Sequence, residues 1–179
     1  GMDTRSVVAR FEAERQALAL MDHANIARVL DGGATETGRP YFVMELVRGV
    51  RITDYCDERR LPARDRLQLF IQVCHAIQHA HQKGVIHRDI KPSNVILASG
   101  PAGVTPKLLD FGIALVERAG DPRLTRDGGL LGTPAYMAPE QVRGQKADER
   151  SDVWGVGTLI YELIAGEPPF LSDDLIAVL

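Results

Sequence analysis

Cysteine is scarce: Cys56 and Cys74 are the only two in 179 residues. That is too few for a disulfide framework and points to a reducing compartment, so a cytoplasmic protein is expected. Charge of one sign is scarce too. A net charge of −3 gives no electrostatic case for nucleic acid or for an anionic membrane. No apolar run reaches the ~18 residues of a membrane span, no signal peptide is visible, and no internal repeat or low-complexity tract breaks the chain. Lysine is missing from the entire stretch before Lys83. What is present, 45% hydrophobic and 25% charged residues, suits one ordinary globular domain or most of one.

Two motifs stand out. His87-Arg88-Asp89-Ile90-Lys91-Pro92-Ser93-Asn94 offers an acid, a lysine and an asparagine in close order, and Asp110-Phe111-Gly112 adds a second acid downstream. Moving a phosphoryl group from a metal-bound nucleotide to a hydroxyl needs those parts. A carboxylate orients the hydroxyl and accepts its proton, oxygen ligands hold Mg²⁺, and a cation meets the migrating phosphate. A polar turn between two strands would also be rich in Asp, Pro, Ser and Asn. That alternative accounts for either motif alone but poorly for both in this order. The first motif resembles the catalytic loop of the eukaryotic-type (Hanks-type) bacterial serine/threonine protein kinases, and D-F-G resembles their metal-binding turn. The resemblance implies ATP and Mg²⁺ as cofactors and Ser/Thr hydroxyls of proteins as substrates. It assigns Asp89 as catalytic base, Lys91 to the γ-phosphate, and Asn94 and Asp110 to the metal.

Downstream, Gly132-Thr133-Pro134-Ala135-Tyr136-Met137-Ala138-Pro139-Glu140 resembles the substrate-docking loop of the same family. Thr133 would sit against Asp89 and Lys91 and help select Ser/Thr acceptors. Ser151-Asp152-Val153-Trp154-Gly155 looks like the start of the central helix of the large lobe. Asp152 would accept hydrogen bonds from the backbone around His87 and Arg88, although Ser151-Asp152 also reads simply as an N-cap and acidic first turn. By resemblance His87, Phe111, Glu140 and Asp152 are structural, with Glu140 pairing to an arginine of later helices. Between the metal-binding turn and the docking loop, phosphorylation of Thr125 would bring an anion to Arg88 and order the segment.

The remaining elements are placed more coarsely. Residues 5–21 have helical spacing of apolar side chains, and Glu14 falls where the family offers a glutamate to its ATP-anchoring lysine. Strands are expected from Ile26 to Asp31 and from Tyr41 to Val47, joined by a polar turn over 32–38. The second runs into Met44-Glu45-Leu46-Val47, which resembles the gatekeeper and hinge, with Glu45 and Val47 backbone groups meeting adenine and Ile96 beneath its ring. Leu67, Phe70, Ile71, Cys74, Ile77 and His81 form a helical stripe closed by Gly84. His75 and His79 share a helix face, but no third ligand has sensible spacing, so a metal site is not expected there. Short strands are expected at 95–97 and 107–109 with an exposed turn over 98–106, then a buried helix over 156–165 stopped by Gly166 and Pro168.

The implied fold is α+β and protein-kinase-like, with small lobe and hinge over 1–47 and a mostly helical large lobe over 48–179. The family's glycine-rich loop and anchoring lysine are not found, and the last helices are not either. The chain therefore reads as an incomplete catalytic domain, expected to be poorly soluble alone and to turn over ATP poorly. Two alternatives are a pseudokinase or scaffold, suggested only by the missing lysine, and a small-molecule phosphotransferase, disfavoured by the docking loop.

Overall fold

The computed structural model describes residues 21–36, 40–100, 103–111 and 134–170. The expected N-terminal helix with Glu14, and the residues Gly112, Thr125 and Thr133, lie outside the described residues. Two small antiparallel sheets and two longer helices make up most of the rest, in keeping with an α+β fold.

The first sheet pairs β1 (Val29–Ala34) with β2 (Pro40–Met44). Its boundaries differ from those expected. Gly32 and Gly33 belong to the strand rather than to the turn, because the Tyr41 side chain crosses directly over Gly33. A Cβ there would lie 2.9 Å from the tyrosine hydroxyl, so the glycine marks a close approach, not a reversal of chain. Ile26 is not in this sheet either. It forms an isolated parallel bridge with Leu108, and the β2 strand ends at Met44, short of the hinge segment.

The second sheet runs β3 (Gly49–Arg51), β4 (Val95–Gly100), β5 (Gly103–Leu108) in spatial order. β3 gave no sequence signal, being three residues long with no alternation to read. The strands β4 and β5 extend through most of the supposed exposed turn over 98–106, pairing as far as Gly100 with Gly103. Pro106 is tolerated because β5 lies at the sheet edge, where its missing N–H removes no ladder bond. Val95, Leu97 and Leu108 are fully buried beneath this sheet.

Helix α1 (Ile52–Glu58) follows β3 directly, and α2 (Ala63–Gln82) packs against β5 and against the last long helix. The inner face of α2 is Leu69, Phe70, Val73, Ala76, Ile77 and Ala80. Leu67 and Ile71, expected inside, are exposed. Periodicity favours the large apolar residues, whereas small Ala76 and Ala80 are among the fully buried residues of this face. Its C-terminus closes as expected at Gly84: the Gly84 N–H donates to the His81 carbonyl and the Val85 N–H to that of Ala80.

A short helix α3 (Pro139–Val142) precedes α4 (Glu149–Ala165). The N-cap of α4 is Asp148, whose side chain accepts the Arg150 N–H at 2.9 Å, so Ser151 and Asp152 lie inside the first turn rather than at the cap. Leu159 and Leu163 of α4 are fully buried, and Trp154 stacks on Phe170 with ring centroids 5.1 Å apart. Arg66 of α2 clips three segments together. It donates to the carbonyls of Cys56, Leu61 and Leu163 and pairs with Asp57 at 2.6 Å.

Gly49 sets how closely β3 can lie on β4. A Cβ at this position would meet the Leu97 carbonyl oxygen at 2.1 Å and Ile96 Cγ2 at 2.8 Å. Backbone cannot yield as a flexible side chain does. Gly49→Ala is expected to destabilise the protein by about 1–3 kcal/mol through overpacking, seen as a lower denaturant midpoint at unchanged m-value; an unchanged midpoint would refute the contact.

Candidate active site

The loop from His87 to Asn94 leaves the end of α2 and enters β4, and it is held from both sides. Arg88 has φ of 68° and Asp110 of 55°, left-handed conformations in which non-glycine residues are uncommon. Such strain persists only where surroundings over-determine the backbone. Here the surroundings are hydrogen bonds to a buried carboxylate. The Asp152 side chain, fully buried in α4, accepts the His87 N–H at 2.8 Å and the Arg88 N–H at 2.6 Å. Its Oδ2 also lies 2.7 Å from His81 Nε2. Asp152 thus holds the backbone at His87 and Arg88, and His81 does more than pack in the core.

His87 is fully buried against Phe111, with ring centroids 4.6 Å apart. Its Nδ1 accepts the Asp89 N–H at 3.3 Å, which leaves the proton on Nε2, 2.8 Å from the Leu109 carbonyl. Burial pulls the His87 pKa below its ordinary value. The carboxylates of Asp152, Asp89 and Asp110 and the Leu109 carbonyl oppose that shift without overcoming it. The ring thus bridges the catalytic-loop motif to the segment entering Asp110 as a neutral group.

Asp89 is the convergence point of the loop. Its Oδ2 accepts from Lys91 Nζ at 2.7 Å and from Asn94 Nδ2 at 3.1 Å, and its carbonyl accepts from the same Asn94 amide at 2.8 Å. Nearly half of the Asp89 side chain remains open to solvent. Asn94 is buried, and its backbone carbonyl accepts the Leu109 N–H at 2.8 Å, which brings Asp110 into the adjoining position of the chain. Asp110 itself is exposed. With its amide nitrogen used by Asp89, Asn94 keeps Oδ1 as its remaining side-chain acceptor, and Asp110 carries a carboxylate. This hard-oxygen pair fits Mg²⁺, which takes one or two protein carboxylates and completes its shell with water and phosphate. No group of three His, Cys, Asp or Glu suited to a metal occurs among the described residues.

Met44, Glu45, Val47 and Ile96 are all half-buried. The Glu45 N–H donates to the Arg28 carbonyl at 2.9 Å, and its side chain pairs with Lys107. Burial pushes the Glu45 carboxyl up, but the Arg28 N–H and the Lys107 ammonium outweigh it and hold the group below the ordinary carboxylate range.

Residues 134–142 are fastened to this loop and to α4. Gln141 is buried, accepts the Ala138 N–H at 3.1 Å and donates to the Arg88 carbonyl at 2.7 Å. Glu140 accepts from Ser151 Oγ at 2.5 Å, so the described partner of this acid is a serine of α4. Tyr136 donates to Glu162 at 2.5 Å.

The chain matches the protein kinase domain family over residues 2–177. The chain belongs to that family. Among curated relatives it is 38% identical to serine/threonine-protein kinase PknB of Mycolicibacterium smegmatis over 97% of this chain and 28% of the relative. It is 41% identical to serine/threonine-protein kinase pkn3 of Myxococcus xanthus over 94% of this chain and 32% of that protein. The chain thus spans about a third or less of these relatives' length. A solved PknI kinase domain of Mycobacterium tuberculosis is similar at TM-score 0.69 and 29% identity, covering 97% of this chain and 65% of that one.

Within this protein kinase domain, three positions escaped the sequence reading. Gln141 and His81 carry no motif signal and act through partners 53 and 71 residues away. The third is His23, whose ring lies 5.2 Å from that of His79. The fold brings this third histidine to the His75/His79 face. Burial, followed by the nearby His79 and His75, lowers the His23 pKa.

Two tests follow from these contacts. Asp152→Ala strips the acceptor from two backbone N–H groups and should cost about 3–5 kcal/mol, with Asp152→Asn costing less because one carbonyl acceptor survives. Equal, small losses in denaturant unfolding would contradict the triple contact. The second test concerns acid. The pKa values of His87 and His23 are lowered in the folded chain, so they take up protons there less readily than in the unfolded chain, where uptake occurs below about pH 6.5. The unfolded state then binds more protons, so stability falls as pH drops through that value. Thermal midpoints should decline from about pH 7.5 to 5.5, with a shallower decline in His87→Gln and His23→Gln; identical slopes in all three proteins would exclude these groups.

Proposed function

We propose that this chain belongs to the catalytic domain of a serine/threonine protein kinase, transferring the γ-phosphate of MgATP to Ser/Thr hydroxyls of protein substrates. The observation that carries the reading is the Asp89 carboxylate. Lys91 and Asn94 together fix one of its oxygens, and nearly half of the side chain stays open to solvent on a loop pinned by Asp152.

In this reading Asp89 orients the acceptor hydroxyl and takes its proton as the oxygen bonds to the γ-phosphorus. The bond to the β–γ bridging oxygen breaks, and ADP leaves. Lys91, already beside Asp89, meets the charge on the migrating group. Asn94 and Asp110 would hold Mg²⁺, which offsets charge on the phosphates when bound. Met44, Glu45 and Val47 would border the adenine, with backbone groups of Glu45 and Val47 hydrogen-bonding it, and Ile96 would lie beneath the ring. The small lobe would end with the hinge at Val47, and the large lobe would take up the rest. Roles for Glu14 with the anchoring lysine and Thr133 in Ser/Thr selection are carried by the resemblance alone, and Thr125 as a phosphorylated switch through Arg88 by the hydroxyl it offers between Gly112 and Gly132.

A cytoplasmic setting fits two free cysteines, and no helix among the described residues is long and apolar enough to cross a membrane. Retention of Asp89, Lys91, Asn94 and Asp110 together favours an enzyme over a scaffold that uses the fold without phosphoryl transfer.

Radiolabel transfer from γ-labelled ATP to a generic basic protein tests the proposal. Asp89→Asn should lower kcat by about 10²–10⁴ with little change in the KM for ATP. Full activity in that variant, or none in the parent protein saturated with MgATP, would overturn the assignment.

A further inference from the structure

Glu45 is joined to the rest of the protein by more than its place in the hinge. Lys107 Nζ lies 3.1 Å from each of its carboxylate oxygens, and the Arg28 N–H donates to Oε2 at 3.2 Å. Its own N–H returns a bond to the Arg28 carbonyl. Both charged side chains are partly buried, Lys107 at 18% exposure and Glu45 at 33%, so the pair is shielded in part from solvent screening.

The segments meeting here belong to different sheets. Glu45 follows β2 of the first sheet, and Lys107 lies in β5 of the second. Residues 25–28 complete the circuit: the Ala27 N–H donates to the Leu108 carbonyl at 2.9 Å, and the Leu108 N–H donates to that of Asn25 at 2.8 Å. Lys107 is also three residues ahead of Asp110 on the same run of chain.

We infer that the Glu45–Lys107 pair is a positioning device that fixes the hinge against the strand leading to Asp110, and so sets the span between the adenine end and the phosphate end of the nucleotide site. The inference rests on the MgATP reading above. Neither side chain is asked to touch the reacting atoms. Glu45 offers its backbone to adenine, Asp110 its carboxylate to the metal, and the ion pair holds the two at fixed separation. The depressed Glu45 carboxyl agrees with a carboxylate kept charged for this purpose. Loosening the clasp would cost alignment of a ligand that must be gripped at both ends.

The test is a double-mutant cycle on Lys107→Met and Glu45→Gln, in the protein as it occurs. Each single variant should raise the KM for ATP about tenfold, leave the KM for protein substrate unaltered, and lower kcat far less. The double variant should be no worse than the poorer single one, because both remove the same interaction. Multiplying effects, an unchanged KM for ATP, or equal shifts for both substrates would overturn the clasp. Affinity for ATP measured without turnover, by the ligand-induced rise in melting temperature, separates the two proposals. A parent protein that binds ATP but transfers no phosphate refutes the activity. Loss of that rise in Lys107→Met supports the clasp all the same, and its persistence refutes it.

Discussion

A single buried carboxylate governs the geometry of the site. Asp152 sits in the first turn of α4 and gathers two backbone N–H groups and one imidazole around itself. Backbone N–H groups turned away from the regular ladders need partners, and a carboxylate supplies stronger acceptors than a neutral carbonyl would. The left-handed turn at Arg88 is thereby stabilised, and it aims Asp89 outward instead of into the core. Gln141 reinforces the same residue from its carbonyl side. The loop's shape is thus imposed from α4 and the segment before it as well as by contacts within the loop.

What could be read in advance followed the range of the interaction. Contacts within the loop, such as Lys91 and Asn94 on Asp89, are two and five residues apart and travel with the motif. Helix ends were legible at Gly84 and Gly166, where the chain itself supplies the stop. Misplacements arose where a local rule met a tertiary partner. Gly32 and Gly33 looked like a turn until Tyr41 lay across them, and Pro106 looked like a breaker until β5 proved to be an edge strand. The facing side of α2 was misjudged because periodicity ranks Leu and Ile above Ala, whereas close packing selected Ala76 and Ala80. Partners such as His81, Gln141 and Lys107 could not be read, since single polar residues carry no period and no spacing.

The two sheets divide the labour. The β3–β5 sheet is a rigid floor, with Val95, Leu97 and Leu108 buried beneath it and Gly49 drawing β3 tightly onto β4. The β1–β2 sheet is smaller and presents Leu30, Tyr41 and Val43 outward. A two-stranded sheet gains little stability by itself, so its placement depends on what fastens it to the floor. Residues 25–28 and Glu45 provide that fastening, which puts the edge that carries Glu45 under the control of a few polar contacts.

Trp154 is the sole tryptophan of the chain and stands two residues beyond Asp152, stacked on Phe170. Its indole N–H is buried without a hydrogen-bond partner among the described residues. An emission spectrum from this protein therefore originates at one site on α4, where the indole lies against Phe170. The fold carries its own optical reporter: a red shift in fluorescence marks water reaching the Trp154–Phe170 stack on α4, with no label attached.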